Sequence, residues 1–402
     1  MHPRRLLAFG NFFSVAHFYL IIFILAPYLA TFMPADETGL VVSAGALATL
    51  ALFPLAPKIV ARYGARRLAL LFGASEAIVL VALAFDPLPV LAIIFAALAC
   101  AISPLVAYGL DLLLEATVAR AEESMTGRVR TAFLTAGNAA LIIAPLVAGF
   151  LLDSSDAYDR VFLAAAVSLF PFLLLFSERH IPEGMPPVSV GIRTTLSRVE
   201  KSRDLHSIIA ANFILQFFYH LAPLYIPLYL HNALGIPWET LGWMFAVMLI
   251  PFVLIEYPAG VASDRWLGDK TLLGAGFLIM GGAFALVGSL TAFTPLLAIA
   301  AILVATRVGG ALVESMTEGH FFRRVSEKDA ETVSVFRMAR PLAALFAPLA
   351  GSILLATVGY FWLFIATGAL MVLAGIIATL GVKDLRRGAG TFPAISGSSL
   401  PS

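Results

Sequence analysis

Ionisable side chains lie inside long apolar runs of this sequence, where a charge is costly and therefore indicates function. His17 and His220 stand near the centres of two such runs, and Glu76 and Arg307 stand near the middle of two others. An imidazole exchanges protons near neutral pH, and a carboxyl group can carry one. A guanidinium keeps its charge at any relevant pH, so Arg307 needs an anion, a carboxylate or a water-filled cavity beside it. These residue types predict proton exchange and anion binding inside an apolar protein.

Each of these residues also has a structural interpretation. Arg307 can pair with a carboxylate from another helix, because Glu314 lies about 10 Å further along the same helix axis. Glu76 can donate one hydrogen bond to a neighbouring helix, and a histidine against an apolar face is usually a packing residue. Polar residues near the two histidines favour a cavity instead, and these are Asn11, Tyr19, Asn212, Gln216 and Tyr219. Pro223 and Pro227 predict a kink beside His220.

The composition is typical of a chain embedded in lipid. Hydrophobic residues make up 60% of the 402 residues, and the mean hydropathy is +0.94. Charged residues make up 13%, against about 25% in soluble domains. The net charge of +1 gives no electrostatic reason to expect nucleic acid as a partner. Cys100 is the single cysteine, so the chain forms no internal disulfide. The composition excludes a soluble core.

Charges, prolines and glycines divide the apolar runs into twelve predicted membrane helices. They cover about residues 6–33, 38–60, 67–86, 88–116, 128–152, 158–177, 206–231, 238–262, 270–290, 294–319, 333–357 and 360–382. All of the 26 lysines and arginines except Arg160 and Arg307 fall in or beside the loops on the side of the two termini. The positive-inside rule therefore places both termini in the cytoplasm of a multi-pass protein, and we expect a bacterial inner (plasma) membrane.

The second half of the chain repeats the first at an offset of 203 residues. The pairs that share it are His17/His220, Pro34/Pro237, Gly39/Gly242, Arg62/Arg265, Asp111/Glu314, Glu115/Glu318 and Pro145/Pro348. A repeat of this kind predicts two related six-helix bundles with a substrate site between them near mid-membrane. The predicted organisation is an N-terminal bundle at 1–177, a cytoplasmic linker at 178–205 with a basic amphipathic stretch near 192–199, a C-terminal bundle at 206–382 and a disordered cytoplasmic tail at 383–402.

Two loops carry the clearest motif. The second-half loop contains Gly260, Asp264, Arg265, Gly268 and Lys270, with one extra residue at Leu267. The first-half loop keeps Arg62, Gly64, Arg66 and Arg67, but Pro57 and Ala61 replace the glycine and the aspartate. This motif resembles the hallmark Gly-x-x-x-Asp-Arg-x-Gly-x-Lys/Arg loop of the major facilitator superfamily, and the resemblance covers nearly the whole chain. It implies an all-α membrane fold of twelve transmembrane helices in two pseudo-symmetric six-helix bundles, working as a secondary transporter by alternating access.

Charged residues at neighbouring helix ends are the predicted partners of these loops. Asp111 with Glu115 and Glu314 with Glu318 are spaced i, i+4 and project from one helix face. The cations opposite them are Arg128, Arg130, Arg337 and Arg340. Two interpretations stay open: a fixed network that sets the packing, and a latch between the halves that breaks when the cytoplasmic side opens. Glu256, two turns before Asp264, is predicted first as a member of this cytoplasmic gate and second as a proton site.

The fifth predicted helix bears on the direction of transport. The segment from Ala144 to Gly149 is similar to the Gly-Pro-x-x-Gly-Gly stretch of drug-exporting antiporters, although Ala144 and Ala148 stand where glycines are usual. The arginine that those exporters carry in the fourth helix is absent, because Pro104 occupies the position equivalent to Arg307. The resemblance mildly favours export. Close helix packing alone is the alternative.

No enzyme constellation is present in the sequence. It contains no phosphate-binding loop that would drive transport with a nucleotide and no Cys/His cluster with metal-ligand spacing. We therefore predict no catalytic residue, no cofactor and no metal. The predicted function is proton-coupled export of a small organic molecule by a monomer whose partners are the substrate, H+ and membrane lipid. The alternatives are an importer of organic anions, for which Arg307 is the best argument, and a non-transporting sensor or assembly factor with the same fold.

Overall fold

The computed structural model describes residues 3–85, 87–119, 123–177, 202–325 and 330–383. These ranges fold into helices joined by short connections, and they contain no β-strand. Most of the predicted linker, including its basic stretch, and the predicted tail beyond Lys383 lie outside the described residues.

Ten helices are long and apolar enough to cross a membrane, and a shorter apolar helix at Arg5–Ile21 precedes them. The last helix, Ala339–Gly381, contains a break at Gly359, where φ is +73°. Dividing it there confirms the predicted number of twelve. The helices are α1 (Pro3–Ile21, continued by Leu25–Leu29), α2 (Thr38–Leu52, continued by Ala56–Tyr63), α3 (Ala65–Ala84), α4 (Pro89–Ala119), α5 (Glu123–Leu152), α6 (Tyr158–Ser177), α7 (Arg203–Pro227), α8 (Trp238–Ala262), α9 (Asp269–Val287), α10 (Leu296–Arg324), α11 (339–358, preceded by the short helix Ala330–Arg337) and α12 (360–381).

The helix limits differ from the predicted ones by up to about a turn and a half. α10 continues to Arg324 and α5 begins at Glu123, both inside stretches that the sequence assigned to loops. Hydropathy marks where a chain leaves the hydrocarbon, whereas the hydrogen-bonded helix continues into the polar interface, where charged side chains reach water. α1 is shorter than predicted, because its helix is interrupted at 22–24 and ends at Leu29.

The packing of helices in the first half is repeated by the equivalent helices of the second half. α2 packs on α4 as α8 packs on α10, and α3 packs on α4 and α6 as α9 packs on α10 and α12. α1 packs on α5 and α6, and α7 packs on the Ala339–Gly381 helix that comprises α11 and α12. Between the halves, the main contacts join α2 to α11 and α5 to α8. The boundary between the two halves is therefore lined by these four helices, with α1, α4, α7 and α10 adjoining them.

The two motif loops turn in the same way. Gly64 has φ +89° and ψ 157°, and Gly268 has φ +76° and ψ 157°. Both conformations lie in a region that a side chain disfavours, which is why glycine is needed between the second and third helices of each half. The extra residue of the second loop, Leu267, lies in a π-helical turn at Ser263–Leu267. A π turn accommodates one added residue without ending the helix.

The basic residue after each glycine ties its loop to the sixth helix of the same half. Arg66 Nη1 donates to the carbonyl of Ser177 at 3.0 Å, and Lys270 Nζ donates to the carbonyl of Leu380 at 3.3 Å. These acceptors lie in the last turns of α6 and α12, and their numbers differ by the repeat offset (380 − 177 = 203). A cation satisfies helix C-terminal carbonyls that lack internal partners.

Candidate functional site

The two ends of the molecule differ in how the halves meet. We call the end where α1 begins and α12 ends the terminal face, and the opposite end, which holds residues 153–157 and 231–237, the distal face. At the distal face the backbones of α5 and α8 touch. A Cβ atom added to Gly149 would lie 2.7 Å from the carbonyl oxygen of Trp238 and 2.8 Å from Cα of Gly242. Such a close approach allows only glycine on either helix.

Further contacts join the halves on the distal side of mid-membrane. The Ser43 hydroxyl of α2 donates to the carbonyl of Leu345 in α11 at 2.9 Å. Phe23 of α1 stacks on Phe245 of α8 with 4.8 Å between the ring centroids. Together with the Gly149–Gly242 crossing, these contacts close the distal end of the boundary between the halves.

At the terminal face, the ion pairs of Glu115 and Glu318 each stay within one half. Arg130 Nη2 lies 3.0 Å from both carboxylate oxygens of Glu115, and Arg337 Nη1 lies 2.9 Å from Glu318. Two interpretations of these residues were left open, a fixed network and a latch between the halves. In this structure the end of α4 pairs with α5, and the end of α10 pairs with the short helix before α11. Side chains on adjacent helices of one half can reach each other whatever the relative position of the two halves. In this conformation these pairs therefore stabilise the packing within each half.

Asp111 and Arg340 face each other from opposite halves without pairing. Arg340 is exposed, and it lies within electrostatic range of Asp111 on α4 and Tyr19 on α1. Among the described residues neither Asp111 nor Arg340 has an ion pair within 4 Å. Opposite charges on the two halves attract each other without direct contact.

Arg307 is the most deeply buried cation at the boundary between the halves. It is 3% exposed, and its guanidinium carbon lies 4.9 Å from the ring centroid of Phe218 and 6.0 Å from that of Tyr219. Tyr19 of the other half is within electrostatic range. Within the described chain, the Nε atom of Arg307 has no hydrogen-bond partner. Aromatic faces stabilise a guanidinium, but they leave its N–H groups free to bind an anion.

Tyr219 separates Arg307 from the acid further along α10. Its hydroxyl donates to Glu314 Oε2 at 2.6 Å. Arg307 and Glu314 form no direct ion pair in the described chain, as their seven-residue separation predicted. Tyr219 therefore contacts both Arg307 and Glu314. We call these three residues, which lie at the boundary between the halves, the polar centre.

Glu256 belongs to the same neighbourhood. It is exposed on α8 and lies within electrostatic range of Glu314, Glu318 and Tyr219. Its backbone carbonyl accepts a hydrogen bond from the Ser315 hydroxyl at 3.1 Å, which attaches α8 to α10. Like charges at close range repel, so protonation of one of these carboxylates reduces the electrostatic repulsion on the others.

The two predicted cavity histidines lie in different surroundings. His17 is 1% exposed, and neither ring nitrogen has a hydrogen bond of good geometry in the described chain, although the backbone of Ser14 is near. It lies on the buried stripe of α1 that also contains Asn11 and Ser14. His220 is partly exposed; its Nδ1 donates to the carbonyl of Gln216 at 2.7 Å, and it lies within electrostatic range of Arg340. The two rings thus do not form the symmetric pair that their spacing suggested.

Asn11 and Asn212 connect helices. Asn11 Nδ2 donates to the carbonyl of Phe133 at 2.8 Å, and Asn212 Nδ2 donates to the carbonyl of Phe336 at 3.1 Å. The acceptors again differ by the repeat offset (336 − 133 = 203). Because one amide donor of each asparagine is used for packing in both halves, the structural interpretation suits them better than substrate contact.

Glu76 lies inside the N-terminal half. It is 0% exposed, neither carboxyl oxygen has a hydrogen-bond partner among the described residues, and Cys100 of α4 is within electrostatic range. The hydrogen bond to a neighbouring helix that its structural interpretation required is therefore not formed. The position is also remote from the polar centre around Arg307, because α3 does not pack on the other half.

The remaining loop residues are mostly at the surface. Arg62, Arg67 and Arg265 are exposed, and the Arg62 guanidinium carbon lies 5.2 Å from the centroid of the Tyr63 ring. Asp264 lies 3.5 Å from Arg323 at the end of α10 rather than against the predicted acids and arginines of α10 and α11. Asp264 is two residues beyond the end of α8, and α10 is the helix that packs on α8, so the partner is the nearest cation of its own half.

The comparisons with known proteins agree with this architecture. The sequence profile of the Major Facilitator Superfamily matches residues 7–240 and 207–398. The chain belongs to the major facilitator superfamily. The superfamily is one of transporters, which agrees with the multi-pass fold.

Several solved transporters resemble this superfamily member in fold. A mutant of the nucleoside transporter NupG has a TM-score of 0.78 at 13% identity, with 95% of this chain and 100% of that chain covered. An auto-inhibited POT family peptide transporter has a TM-score of 0.77 at 12% identity, covering 97% and 99%. A bacterial homologue of the human lysosomal transporter Spinster, inward-facing and occupied, has a TM-score of 0.73 at 14% identity, covering 95% and 96%. No curated protein matches the sequence. Identities this low establish the fold alone.

A buried charge cluster in this superfamily member was missed in the sequence. His320 of α10 is 0% exposed, its Nδ1 lies 2.8 Å from Asp269, and its Nε2 lies 3.2 Å from Asp204. Asp269 also accepts hydrogen bonds from Ser263 and Arg323. The one feature of the sequence that pointed to this cluster was Asp269, directly after the motif glycine Gly268. Its partner His320 lies 51 residues further along the chain.

Asp204 completes the cluster from the start of α7. It lies 3.0 Å from Arg324 Nε, and it accepts a hydrogen bond at 2.7 Å from the backbone N–H of Lys383, just beyond α12. The cluster therefore joins α7, the α8–α9 loop, α10 and the end of α12. A fully partnered network of this kind rigidifies the terminal face of the C-terminal half.

We expect His320→Ala to destabilise the protein by about 2–4 kcal/mol, because removing one partner of a buried charge network leaves the others uncompensated. Thermal unfolding of the detergent-purified protein measures this as a lower Tm. The matched control is His206→Ala, which removes an exposed imidazole near the start of α7. Equal unfolding temperatures for the two variants would contradict a structural role for the cluster.

Substitution of Gly260 in the second motif loop is predicted to affect transport but not to lower stability. Among the described residues nothing lies within 4 Å of a Cβ atom added there, so Gly260→Ala leaves this conformation intact. Alanine is favoured over glycine in a helix by about 1 kcal/mol. We expect an unchanged or higher Tm together with slower transport, if the transport cycle includes a conformation in which a neighbouring helix packs on this glycine. Transport at the wild-type rate would show that no close approach occurs there.

Proposed function

We propose that this protein is a secondary transporter that moves a small organic molecule across the membrane by alternating access. The observation that carries the proposal is the asymmetry of the boundary between the halves. Their backbones touch at Gly149 and Gly242 on the distal face, whereas at the terminal face Asp111 and Arg340 of opposite halves form no ion pair. With cytoplasmic termini, this conformation is inward-facing.

The site for substrate is the polar centre formed by Arg307, Tyr219 and Glu314, with Tyr19 and His220 beside it. The polar centre belongs to the C-terminal half and Tyr19 to the N-terminal half, so a molecule that contacts both responds to their relative position. Phe218 and the rings of Tyr19 and Tyr219 offer apolar surface for an organic body, and Arg307 offers hydrogen-bond donors. Few polar groups among aromatic side chains are typical of small-molecule sites.

We propose protons as the coupling ion. Glu314 is held by Tyr219 and lies within electrostatic range of Arg340, the cation that is also within range of Asp111 in the other half, so its charge affects how strongly Arg340 attracts Asp111. Glu256 and Glu318 add to this cluster on the terminal side. Protonation of Glu314 or Glu256 changes the attraction that closes the terminal face, which links proton binding to conformation. His220 is a further candidate for proton coupling. The buried positions of His17 and Glu76 give less support for such a role.

We propose export as the direction. The support is the resemblance of Ala144–Gly149 to the corresponding stretch of drug exporters, together with the close α5–α8 contact that Gly149 makes. In such an exporter a proton enters as the substrate leaves. The second candidate is import of an organic anion, which the unpartnered Nε of Arg307 and the exposed Arg340 favour.

Transport by purified protein in vesicles with an imposed pH gradient tests these proposals. Neutral, cationic and anionic organic compounds are screened for flux in both directions. We expect flux that follows the gradient, stops with a protonophore, and loses its dependence on pH in the Glu314→Gln variant. Flux that ignores the gradient would remove proton coupling and leave alternating access intact. Binding of a compound without any flux would favour a sensor.

A further inference from the structure

His231 and Asp156 join the two halves at the distal face. His231 lies in the π-helical turn Leu228–Ala233 that follows α7, and Asp156 lies in the connection between α5 and α6. Nε2 of His231 is 3.3 Å from Oδ1 of Asp156. The histidine side chain is 16% exposed and the aspartate side chain 51%. The contact therefore lies at the rim of the closed end, open to the compartment on that side.

The other ring nitrogen determines which form of the imidazole fits. Nδ1 of His231 lies 3.0 Å from the backbone carbonyl of Ile236, and a carbonyl can only accept, so Nδ1 carries a proton. In a neutral imidazole Nε2 would then present a lone pair to the carboxylate of Asp156. Only the imidazolium, with protons on both nitrogens, is attracted to both neighbours.

The surroundings favour the same form. The Trp238 ring lies against the imidazole with 4.4 Å between centroids and 31° between planes, and an aromatic face attracts a cation. Tyr158 lies beyond that indole, with 6.2 Å between their centroids. Asp153, Asp159, Arg160 and Glu239, the other charged residues of these elements, are exposed. Asp156 is thus the charged group in contact with His231.

We propose that His231 is a proton-binding site whose protonation closes the distal end of the transporter. A proton taken from the distal compartment creates the cation that binds Asp156, and this interaction holds the N-terminal half against the C-terminal half. As pH rises and the imidazole loses its proton, the attraction disappears and the distal end opens more readily. The inference rests on alternating access, but it does not depend on the substrate or on the coupling ion.

Distances between spin labels test the proposal without a substrate. Glu37 and Thr291 are exposed residues of the two halves near the distal face, and both are changed to cysteine in a Cys100→Ala background. In lipid nanodiscs we expect the short-distance population to dominate at about pH 5.5 and to lose ground at about pH 8. Because a rim ion pair contributes little, the closed-to-open ratio should change about twofold to fivefold.

Four variants separate this contact from other titrations. His231→Gln and Asp156→Asn should each abolish most of the pH dependence, and His206→Gln, at the terminal face, should leave it unchanged. His231→Lys should keep the distal end closed at both pH values. A pH dependence that persists in His231→Gln and Asp156→Asn, or its absence in the parent protein, would overturn the proposal. If this pair and a second label pair placed across the terminal face both keep one distance with every substrate and pH, alternating access itself fails.

Discussion

Gly149→Leu is expected to abolish transport while the protein remains folded in the membrane. A Cβ at this position would lie 2.7 Å from the carbonyl oxygen of Trp238, which belongs to the other half, so a leucine side chain prevents α5 and α8 from meeting. Overpacking costs about 1–3 kcal/mol, which changes a two-state ratio by about 5-fold to 150-fold. The cost falls only on the distally closed conformation, so the transporter accumulates in the opposite one.

Vesicle transport and the distal spin-label pair measure the two consequences together. We expect transport to fall by at least about tenfold and the labels to show a longer distance. Gly282→Leu is the matched control, because the described chain leaves space around a Cβ on that α9 glycine. Gly242→Leu should reproduce the effect from the other side of the contact. Normal transport by Gly149→Leu would mean that the two helices need not meet during the cycle.

Arg307→Gln is expected to reduce transport by about 30-fold or more, since loss of a buried charge that binds a ligand typically costs 2–5 kcal/mol. Arg307→Lys should be intermediate, because an ammonium keeps the charge but loses the planar contact with Phe218. Arg160→Gln is the matched control, being an exposed arginine far from the centre. Uptake and efflux in vesicles, measured over substrate concentration, separate loss of binding from loss of turnover.

Stability distinguishes the functional role of Arg307 from a structural one. A structural ion pair would lose stability when the arginine is removed, whereas an unpaired buried cation carries a desolvation cost that its removal relieves. We therefore expect Arg307→Gln to unfold at the same temperature as the wild type or higher. A lower Tm with unchanged transport would contradict the proposed site.

Several features of the fold could be predicted from the sequence, because each depends on a short stretch of residues and not on contacts between distant helices. Twelve helices follow from apolar runs of spanning length. The turns at Gly64 and Gly268 follow from the motif. The offset of 203 residues read from the sequence also relates contacts that only the structure shows, including those of the Ser177 and Leu380 carbonyls.

The candidate site was predictable only in part. Arg307 and Tyr219 were identified as charged or polar residues in apolar runs, and they do lie together. The donation from Tyr219 to Glu314 was not foreseen, since it depends on how α7 and α10 are rotated. Burial of His17 could not be predicted for the same reason: its position along α1 is central, but its side chain is only 1% exposed.

The sequence alone determined the membrane class, the helix number, the internal repeat and the family, because hydropathy and motif spacing are properties of the chain read in order. Only the tertiary structure decided which charges meet. His320 reaches Asp204 and Asp269 across 116 and 51 residues, and His231 meets Asp156 from the other half. Such pairings depend on helix tilt, rotation and the separation of the halves, none of which lipid solubility constrains.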